Sequence, residues 1–561
     1  MKLKYILFLS ASLSLAGCND SFLERGPQDL NDNTFWNTVN DLKVYANSFY
    51  SILPDGVTNL GDENSDNQIP FKPNSFLWGQ YTVPAEDGEW SKDSWSRIRN
   101  LNYFMTHYKS VVGEKTAIDK YVAEIRFFRA LEYFNKIKTF GDVPWLEEDL
   151  NVDSEELYGK KMPRNQVAQK IIEDLEFAIN NLPVKGKEDP NRLNADIAKH
   201  ILGRVCLNEG TYYKYHTELG YASEADDLLK KAADITDELI DPKSGYEIYS
   251  TGKPEEDYYN MFIMEDKSNL KEAILYIDFE KNLRYHNATR WLRNAKSGWS
   301  KDFADCFLYT DGKPASATGK PHVQNRTMAE EAAERDPRFK QLILTAEHPY
   351  TMTADGNNTY LNEDTYVSKD CPTGYWVRKY FNPDPTQDIE AKSTFDGIAY
   401  RFAETLLINA EAKAELKTIT NEDLEKTVNQ LRDRAGMPHL TLEVGFEDSN
   451  WPKWGYELSS LLQEIRRERR IELAGEGFRF DDLKRWKAGH LLNNVQTYVG
   501  KYVKGNDGTW KQAIAYGNYT NDDLSYQEGK SRTWNDKMYL YPIPSGELQR
   551  NPNLLPQNPG W

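Results

Sequence analysis

Cysteine is scarce and poorly placed for pairing. Four occur in 561 residues, at Cys18, Cys206, Cys306 and Cys371, widely spaced and without a CxxC, which excludes a disulfide framework and a cysteine-built metal site. The last three read as packing residues. The eight histidines are scattered with no HExxH and no HxH, so neither a metal nor a cofactor is expected. Positive charge is also short: 69 Lys plus Arg against 87 Asp plus Glu leave a net −18, a field that repels phosphate backbones and argues against nucleic acid as a partner. The densest basic cluster, Arg466, Arg467, Arg469 and Arg470, is interleaved with Glu464, Glu468 and Glu472 and reads as a salt-bridged helix face.

Aromatic residues, by contrast, are plentiful at 13%, led by 34 Tyr with 14 Trp. Flat faces with a polar handle are therefore an expected theme. With 39% apolar and 28% charged residues the chain folds, and 561 residues exceed what one hydrophobic core organises, so two domains or one scaffold with large insertions is expected.

The first residues stand apart from the fold. Lys2 and Lys4 precede an apolar stretch from Tyr5 to Leu15, about half the roughly 20 residues a membrane-spanning helix needs. Residues 1–17 are read as a signal peptide. Leu15-Ala16-Gly17-Cys18 resembles the bacterial lipobox, which makes Cys18 the expected lipidation site and anchors the body to a membrane through acyl chains. No other apolar run is long enough to span.

Helical periodicity dominates both ends of the chain. Phe35, Leu42, Tyr45 and Phe49 share one face between Thr34 and Ile52, and the same pattern predicts helices over Asp93–Val112 and Ala117–Phe140. Further helices are expected at Asn165–Leu182, Ala195–Tyr213 and Ser223–Ile240, the last stopped by Asp241-Pro242. Successive long pairs, with small residues such as Ala198, Gly203 and Ala232, match a degenerate tetratricopeptide-type stack. From Pro242 to about Gly397 the period is lost to Gly, Pro, Asn and aromatic residues, with one strand-like segment at Ala273–Phe279. Helices resume at Gly397–Leu416, Asn421–Arg434, Glu457–Ala474 and Asp482–Lys487, and a proline-rich extended tail closes the chain. The expected divisions are 18–241, a loop-rich insertion over 242–397, and 398–561.

Four segments carry a resemblance. Glu124-Ile-Arg-Phe-Phe-Arg-Ala-Leu-Glu-Tyr-Phe through Phe140-Gly-Asp-Val-Pro-Trp145, Glu334-Arg-Asp-Pro-Arg338, the run RRERRIELAGEGFRFDDLKRW from Arg466 to Trp486, and LYPIPSGELQRNPNLLPQNPGW from Leu540 to Trp561 follow one another in the order found in SusD/RagB outer-membrane lipoproteins. With the lipobox, the resemblance covers essentially the whole mature chain. It implies a mainly α fold of tetratricopeptide-like helix pairs with a large irregular, loop-rich insertion carrying short strands. It also implies a surface-exposed, outer-membrane lipoprotein without catalytic activity, which captures glycan for a paired SusC-like TonB-dependent transporter. Asn19, Asp20 and Glu24, just after the lipobox cysteine, are similar to the surface-export signals of such bacteria.

The chemistry of a sugar site can be stated independently. A pyranose offers a C–H face and a belt of hydroxyls, so its binder needs aromatic planes together with carboxylates, amides or arginines. A Trp face removing about 80 Å² of apolar surface from water contributes about 2 kcal/mol at about 25 cal/mol per Å². Two clusters fit: Asp62, Asp66, Trp78, Tyr81 and Trp90 on the loop before one helix, and Arg284, Tyr285, Trp291, Trp299 and Tyr309 after the strand, extended by Trp376 and Arg378. Cys306, in the same aromatic loop, joins them as a candidate contact. For each aromatic the competing role is packing under a loop. Trp36, Trp95, Trp145 and Trp486, on helix faces and turn motifs, are assigned to packing, and Glu468, Glu472 and Glu476 to pairing along their own helix. Two other functions stay open on these residues: a helical glycoside hydrolase, which needs two carboxyls about 5–9 Å apart, and a peptide-capturing importer subunit.

Overall fold

The computed structural model describes residues 35–57, 61–70, 74–86, 90–318, 326–353, 355–504, 508–514 and 532–561. The expected signal peptide, residues 1–17, and Cys18 lie outside the described residues. Among these residues no helix is long and apolar enough to cross a membrane.

The chain is mainly α. Helix α1 (Val39–Asn47) opens on a capping box in which Thr38 and Asp41 satisfy each other's end groups. Helices α2 (Lys92–His107), α3 (Lys115–Phe140), α4 (Arg164–Asn181), α5 (Ala195–Tyr215) and α6 (Ala225–Ile240) then stack as antiparallel neighbours. Their boundaries follow the periodicity because local caps agree with it: Ser91 accepts from the Ser94 N–H to start α2, and Asn194 from the Ile197 N–H at 3.0 Å to start α5. The close α5–α6 approach needs small residues. A Cβ on Gly203 would sit 2.9 Å from the Thr236 methyl, and one on Gly210 equally close to Leu229.

The turn after α3 explains one recurrent motif. Gly141, at φ 74, ends the helix in a conformation that disfavours side chains. Asp142 then accepts from the Arg164 N–H at 2.8 Å, and Trp145 lies 4.1 Å from the Tyr133 ring centre with Arg129 over its other side. Arg129 in turn grips Asp174 with two hydrogen bonds of 2.7 and 2.8 Å, which ties α3 to α4.

The insertion is irregular but not structureless. It holds α7 (Asp257–Phe262), α8 (Ala288–Asn294), α9 (Lys301–Asp305), α10 (Ala315–Thr318), α11 (Met328–Ala332) and α12 (Arg338–Leu342). Strand β1 (Gln68–Ile69) reaches across to it, and β2 (Ala273–Ile277), β3 (Gly298–Trp299), β4 (Pro349–Thr351) and β5 (Thr359–Tyr360) lie within it. β1 pairs with β3, and β4 with β5, both antiparallel.

Beyond the insertion the boundaries shift from those expected. Gly397–Arg401 is not the start of a helix but strand β6, antiparallel to β2, and only then does α13 (Phe402–Glu415) begin. A side chain at Gly397 would collide with the Asp55 carbonyl, which selects glycine there. The single helix expected over 421–434 is two, α14 (Asn421–Lys426) and α15 (Val428–Arg434), broken at Thr427 whose hydroxyl donates back to the Asp423 carbonyl. α16 (Ser460–Glu472) and α17 (Arg479–Arg485) follow, then the hairpin β7 (Val499–Lys504) and β8 (Trp510–Ile514). The tail, expected to be extended throughout, contains α18 (Ser545–Arg550) and returns to the N-terminal region. There Tyr541 stacks on Phe76 at 4.2 Å, Trp561 packs edge-on to Tyr81, and Ser545 N–H donates to Pro84.

Glu468, Glu472 and Glu476 pair across the fold rather than along their own helix. Arg338 binds Asp336, Glu468 and Glu472; Arg401 binds Glu272, Glu472 and Glu476; Arg434 binds Glu272 and Glu472. Arg432 adds Glu468 and Lys379 adds Glu476. Of the arginines expected on a salt-bridged helix face, three are buried and pair off their helix, Arg466 with Glu415, Arg469 with Asp482 and Arg470 with Asp302; Arg467, half-buried, keeps a partner on its own helix, Glu464. Such a network forms because each guanidinium offers five donors, and leaving any of them unmet in the interior is costly.

Candidate functional site

A cavity of about 570 Å³ opens where four segments converge. The β1–β3 pairing brings Asp66 beside the start of α9, where Ser300 donates to the Asp66 carbonyl at 2.5 Å and caps α9 through the Phe303 N–H. α16 and α17 supply Arg466, Arg467, Arg470 and Arg479 from behind. The loop Asp448-Ser-Asn-Trp-Pro-Lys-Trp454 forms one wall, and Tyr502 on β7 with His490, Asn494 and Gln496 forms another.

The aromatic walls are anchored by their edges. The Trp451 indole N–H donates to Glu464 at 2.7 Å and that of Trp454 to Gln463 at 2.6 Å, so both rings are fixed against α16. Trp454 is buried; Trp451 and Tyr502 are half-buried. His490 Nε2 lies 2.8 Å from the Lys453 carbonyl, an oxygen that can only accept, so Nε2 carries the proton and Nδ1 is an acceptor.

Charge is matched pair by pair. Arg479 holds Asp66 with two bonds of 2.7 and 2.8 Å, and a single Arg470 nitrogen reaches Asp302 at 2.7 Å and Asp66 at 3.3 Å. Arg467 holds Asp448 at 2.6 Å, and Lys301 pairs with Asp305. These surroundings split the two carboxyls. Burial alone would raise Asp66, but Arg470 and Arg479 overcome it and hold the group well below the usual carboxylate range. Asp302 moves the other way, raised by burial with the Asp66 charge adding to it and Arg470 compensating in part. The Cys306 thiol, half-buried on the same wall, is pushed up to about 11 by burial and is no nucleophile. No cluster of three metal-ligating side chains occurs among the described residues.

The arrangement offers an aromatic face with carboxylate, amide and guanidinium groups around it, the donor and acceptor belt that a polyol requires. Comparison with known proteins bears on what that means. The model of the SusD family matches residues 245–561, more than half of the chain. The chain belongs to the SusD family. A SusD-like protein P2 of Formosa agariphila is 24% identical over the full length of both chains, and a SusD-like protein of Bacteroides ovatus is 24% identical over 94% of this chain and 91% of its own. Among solved structures, a SusD-like protein of Bacteroides fragilis superposes with a TM-score of 0.72 at 24% identity, covering 95% of this chain and 99% of that one. A SusD-like carbohydrate binding protein of the same species reaches 0.68 at 21% identity, covering 93% and 100%. Three of the four motif segments lie inside the matched region, and Glu124–Trp145 precedes it.

Within this SusD family member the structure brings only Asp66 and Cys306, of the residues singled out from sequence, into the cavity. Asp62 is fully buried beneath it, accepting from Asn67 and from the Gly475 N–H at 2.8 Å each. Trp78 packs on Tyr498, and Tyr81 on Phe76, Tyr541 and Trp561. Trp90 is wedged between Trp95 and Phe140 on a different cavity. Trp299 is 0% exposed, its N–H given to the Leu342 carbonyl; Trp376 gives its own to Tyr366. Tyr309 lies under Arg335, and Arg378 over Tyr259 with its value lowered to about 10 by burial. Trp291 is 55% exposed on α8, away from the cavity, and Arg284 and Tyr285 stand near it on the same surface segment. The residues the sequence reading passed over are Asp302, Trp451, Trp454 and Tyr502, and Arg470, read there as part of a salt-bridged helix face, also lines the cavity. Two tryptophans with Asp448, Ser449 and Asn450 in one interhelical loop were the available signal for that wall of the cavity.

Proposed function

We propose that this protein is a non-catalytic glycan-binding lipoprotein of the outer membrane, and that the cavity bounded by Asp302, Trp451 and Tyr502 receives the sugar. Cys18 would carry the lipid, and a SusC-like TonB-dependent transporter would receive the cargo. The observation that carries the reading is the pairing of an edge-anchored Trp451 and a half-buried Tyr502 with matched charges around them. Relatives of the same fold lend support through their descriptions, one as a carbohydrate binding protein and one as a laminarin binding SusD-like protein, which superposes at a TM-score of 0.56. The split between Asp66 and Asp302 is what a hydrolase would also need. Against that role, Arg470 and Arg479 hold Asp66 well below the usual carboxylate range, which makes it a weak base and a weak nucleophile.

The test is calorimetry of the mature chain carrying Cys18→Ala against a panel of soluble glycans, with each mixture then assayed for new reducing ends. One glycan class should bind without new ends. Trp451→Ala should weaken that binding by about 2 kcal/mol, roughly 30-fold in Kd, the contribution of one aromatic face. New reducing ends that vanish in Asp302→Asn would establish the hydrolase instead, and binding of peptides with silence across the glycans would establish peptide capture.

A further inference from the structure

A second and larger cavity, about 700 Å³, lies between α2 and the C-terminal tail and shares no lining residue with the first. Its floor is apolar, from Trp90, Trp95, Leu146, Leu150 and Leu554. Two buried polar atoms on this wall have no hydrogen-bond partner among the described residues: the Trp95 indole N–H and the Asn102 side-chain oxygen. Asn102 is 1% exposed, and its amide nitrogen is already spent on the Leu146 carbonyl at 2.8 Å. An unmet donor and an unmet acceptor in the interior are costly, and a native chain keeps such atoms where something else satisfies them.

Their spacing describes what that something is. Trp95 and Asn102 are seven residues apart on one helix, so they share a face and stand two turns, about 10 Å, apart, close to the length of a disaccharide. The rim supplies acceptors for hydroxyls. Asp93, Glu148 and Glu156 line it and have no ion-pair partner among the described residues; of the lining cations Arg550 is occupied by Glu86 and Glu547 and Arg99 by Asp149, and Lys92 completes a set of three against five lining carboxylates. The surplus of carboxylates disfavours a uronate or a sulfated sugar.

We infer that this cavity is a second carbohydrate site, which takes a neutral disaccharide unit with one ring toward Trp95 and the other toward Asn102. The inference leans on the proposed function for the class of ligand but not for the place. Two separate sites on one body let a long chain be held at both ends, which raises affinity for polymers above that for short oligomers without new contacts.

The experiment uses the mature chain carrying Cys18→Ala and Trp451→Ala, which weakens the first cavity about 30-fold, and saturation-transfer NMR with maltose, cellobiose, laminaribiose and galactobiose. At least one disaccharide should still receive saturation, and the signal should fall at least tenfold on adding Trp95→Phe, which removes the N–H and keeps a ring. Thermal unfolding of Trp95→Phe should be unchanged or higher, since an unmet donor has been deleted. If that variant instead melts early, Leu157→Arg decides, because Leu157 is 42% exposed at the mouth and tolerates replacement. Silence of the Trp451→Ala protein while the protein with Trp451 intact binds a disaccharide overturns the second site and leaves the first standing. Silence of both sinks both, and a signal untouched by either added substitution overturns the second site alone.

Discussion

Replacing Glu472 with alanine is expected to lower the free energy of unfolding by about 3–5 kcal/mol, the cost of leaving buried charge without its partner. Glu472 is fully buried and receives Arg434 at 2.5 Å and Arg338 at 3.1 Å on one oxygen and Arg401 at 2.6 Å on the other. Its removal leaves three guanidiniums, on separate segments of the chain, each one carboxylate short: Arg434 keeps Glu272, Arg338 keeps Asp336 and Glu468, and Arg401 keeps Glu272 and Glu476. Guanidinium denaturation followed by tryptophan fluorescence measures the loss; a change under about 1 kcal/mol would mean that water enters and satisfies the arginines. The same network sets the response to acid. Burial would raise the Glu472 carboxyl, but Arg434, Arg401 and Arg338 prevail and hold it far below its ordinary 4.5; Arg204 and His200 do the same for Glu404. A carboxyl lowered in the folded state contributes stability that is fully present above its unfolded value and is lost as pH falls through the folded one. Stability should therefore hold from neutral pH down to about 5 and decline steadily below it. In Glu472→Ala that decline should be shallower.

Arg470→Met is expected to abolish glycan binding at the first cavity and to destabilise the protein more at neutral pH than in mild acid. Arg470 is the cation that faces Asp302, and it also bonds the Asn67 side chain at 2.8 Å. Asp66 keeps Arg479, so the exposed consequence falls on Asp302, whose carboxyl is already raised by burial. Without Arg470 it is raised further. A carboxyl with a folded value above its unfolded one weakens the fold as pH climbs through that interval, so the variant should lose about 2–4 kcal/mol at pH 7 and less at pH 4.5. Denaturation at the two pH values, with calorimetry at pH 7, measures both effects. Equal losses at both would show that Asp302 stays ionised throughout.

How much of this was legible in sequence depends on where each residue finds its partners. Helices α2 to α6 were readable to within a few residues because period and caps such as Asn194 are local. Strand β6 was not, since Gly397-Ile-Ala-Tyr-Arg401 runs into Phe402 with no turn signal and its partner β2 lies far earlier in the chain. The α16 glutamates show a four-residue spacing that suggests pairing along a helix, yet the arginines that claim Glu468 and Glu472 include Arg338 and Arg401, brought in by other segments. Aromatic identity also says little about exposure: Trp291 and Trp299 sit eight residues apart in the same irregular stretch, and one is 55% exposed while the other is 0%. The cavity was half visible, through Asp66 and Cys306. The wall from Asp448 to Trp454 was not, because its role depends on α16 fixing both indoles.

The return of the tail to the N-terminal region has a bearing on biogenesis. Phe76 packs on Tyr541, Trp561 and Trp534 and Tyr81 on Tyr541 and Trp561, and the Phe140 carbonyl at the end of α3 acquires its donor from Asn558. The first third of the chain thus cannot be completed until residues 541–561 have been synthesised and delivered. A nascent polypeptide built this way stays unfinished while the intervening residues are made, and it locks into shape only once that segment has arrived.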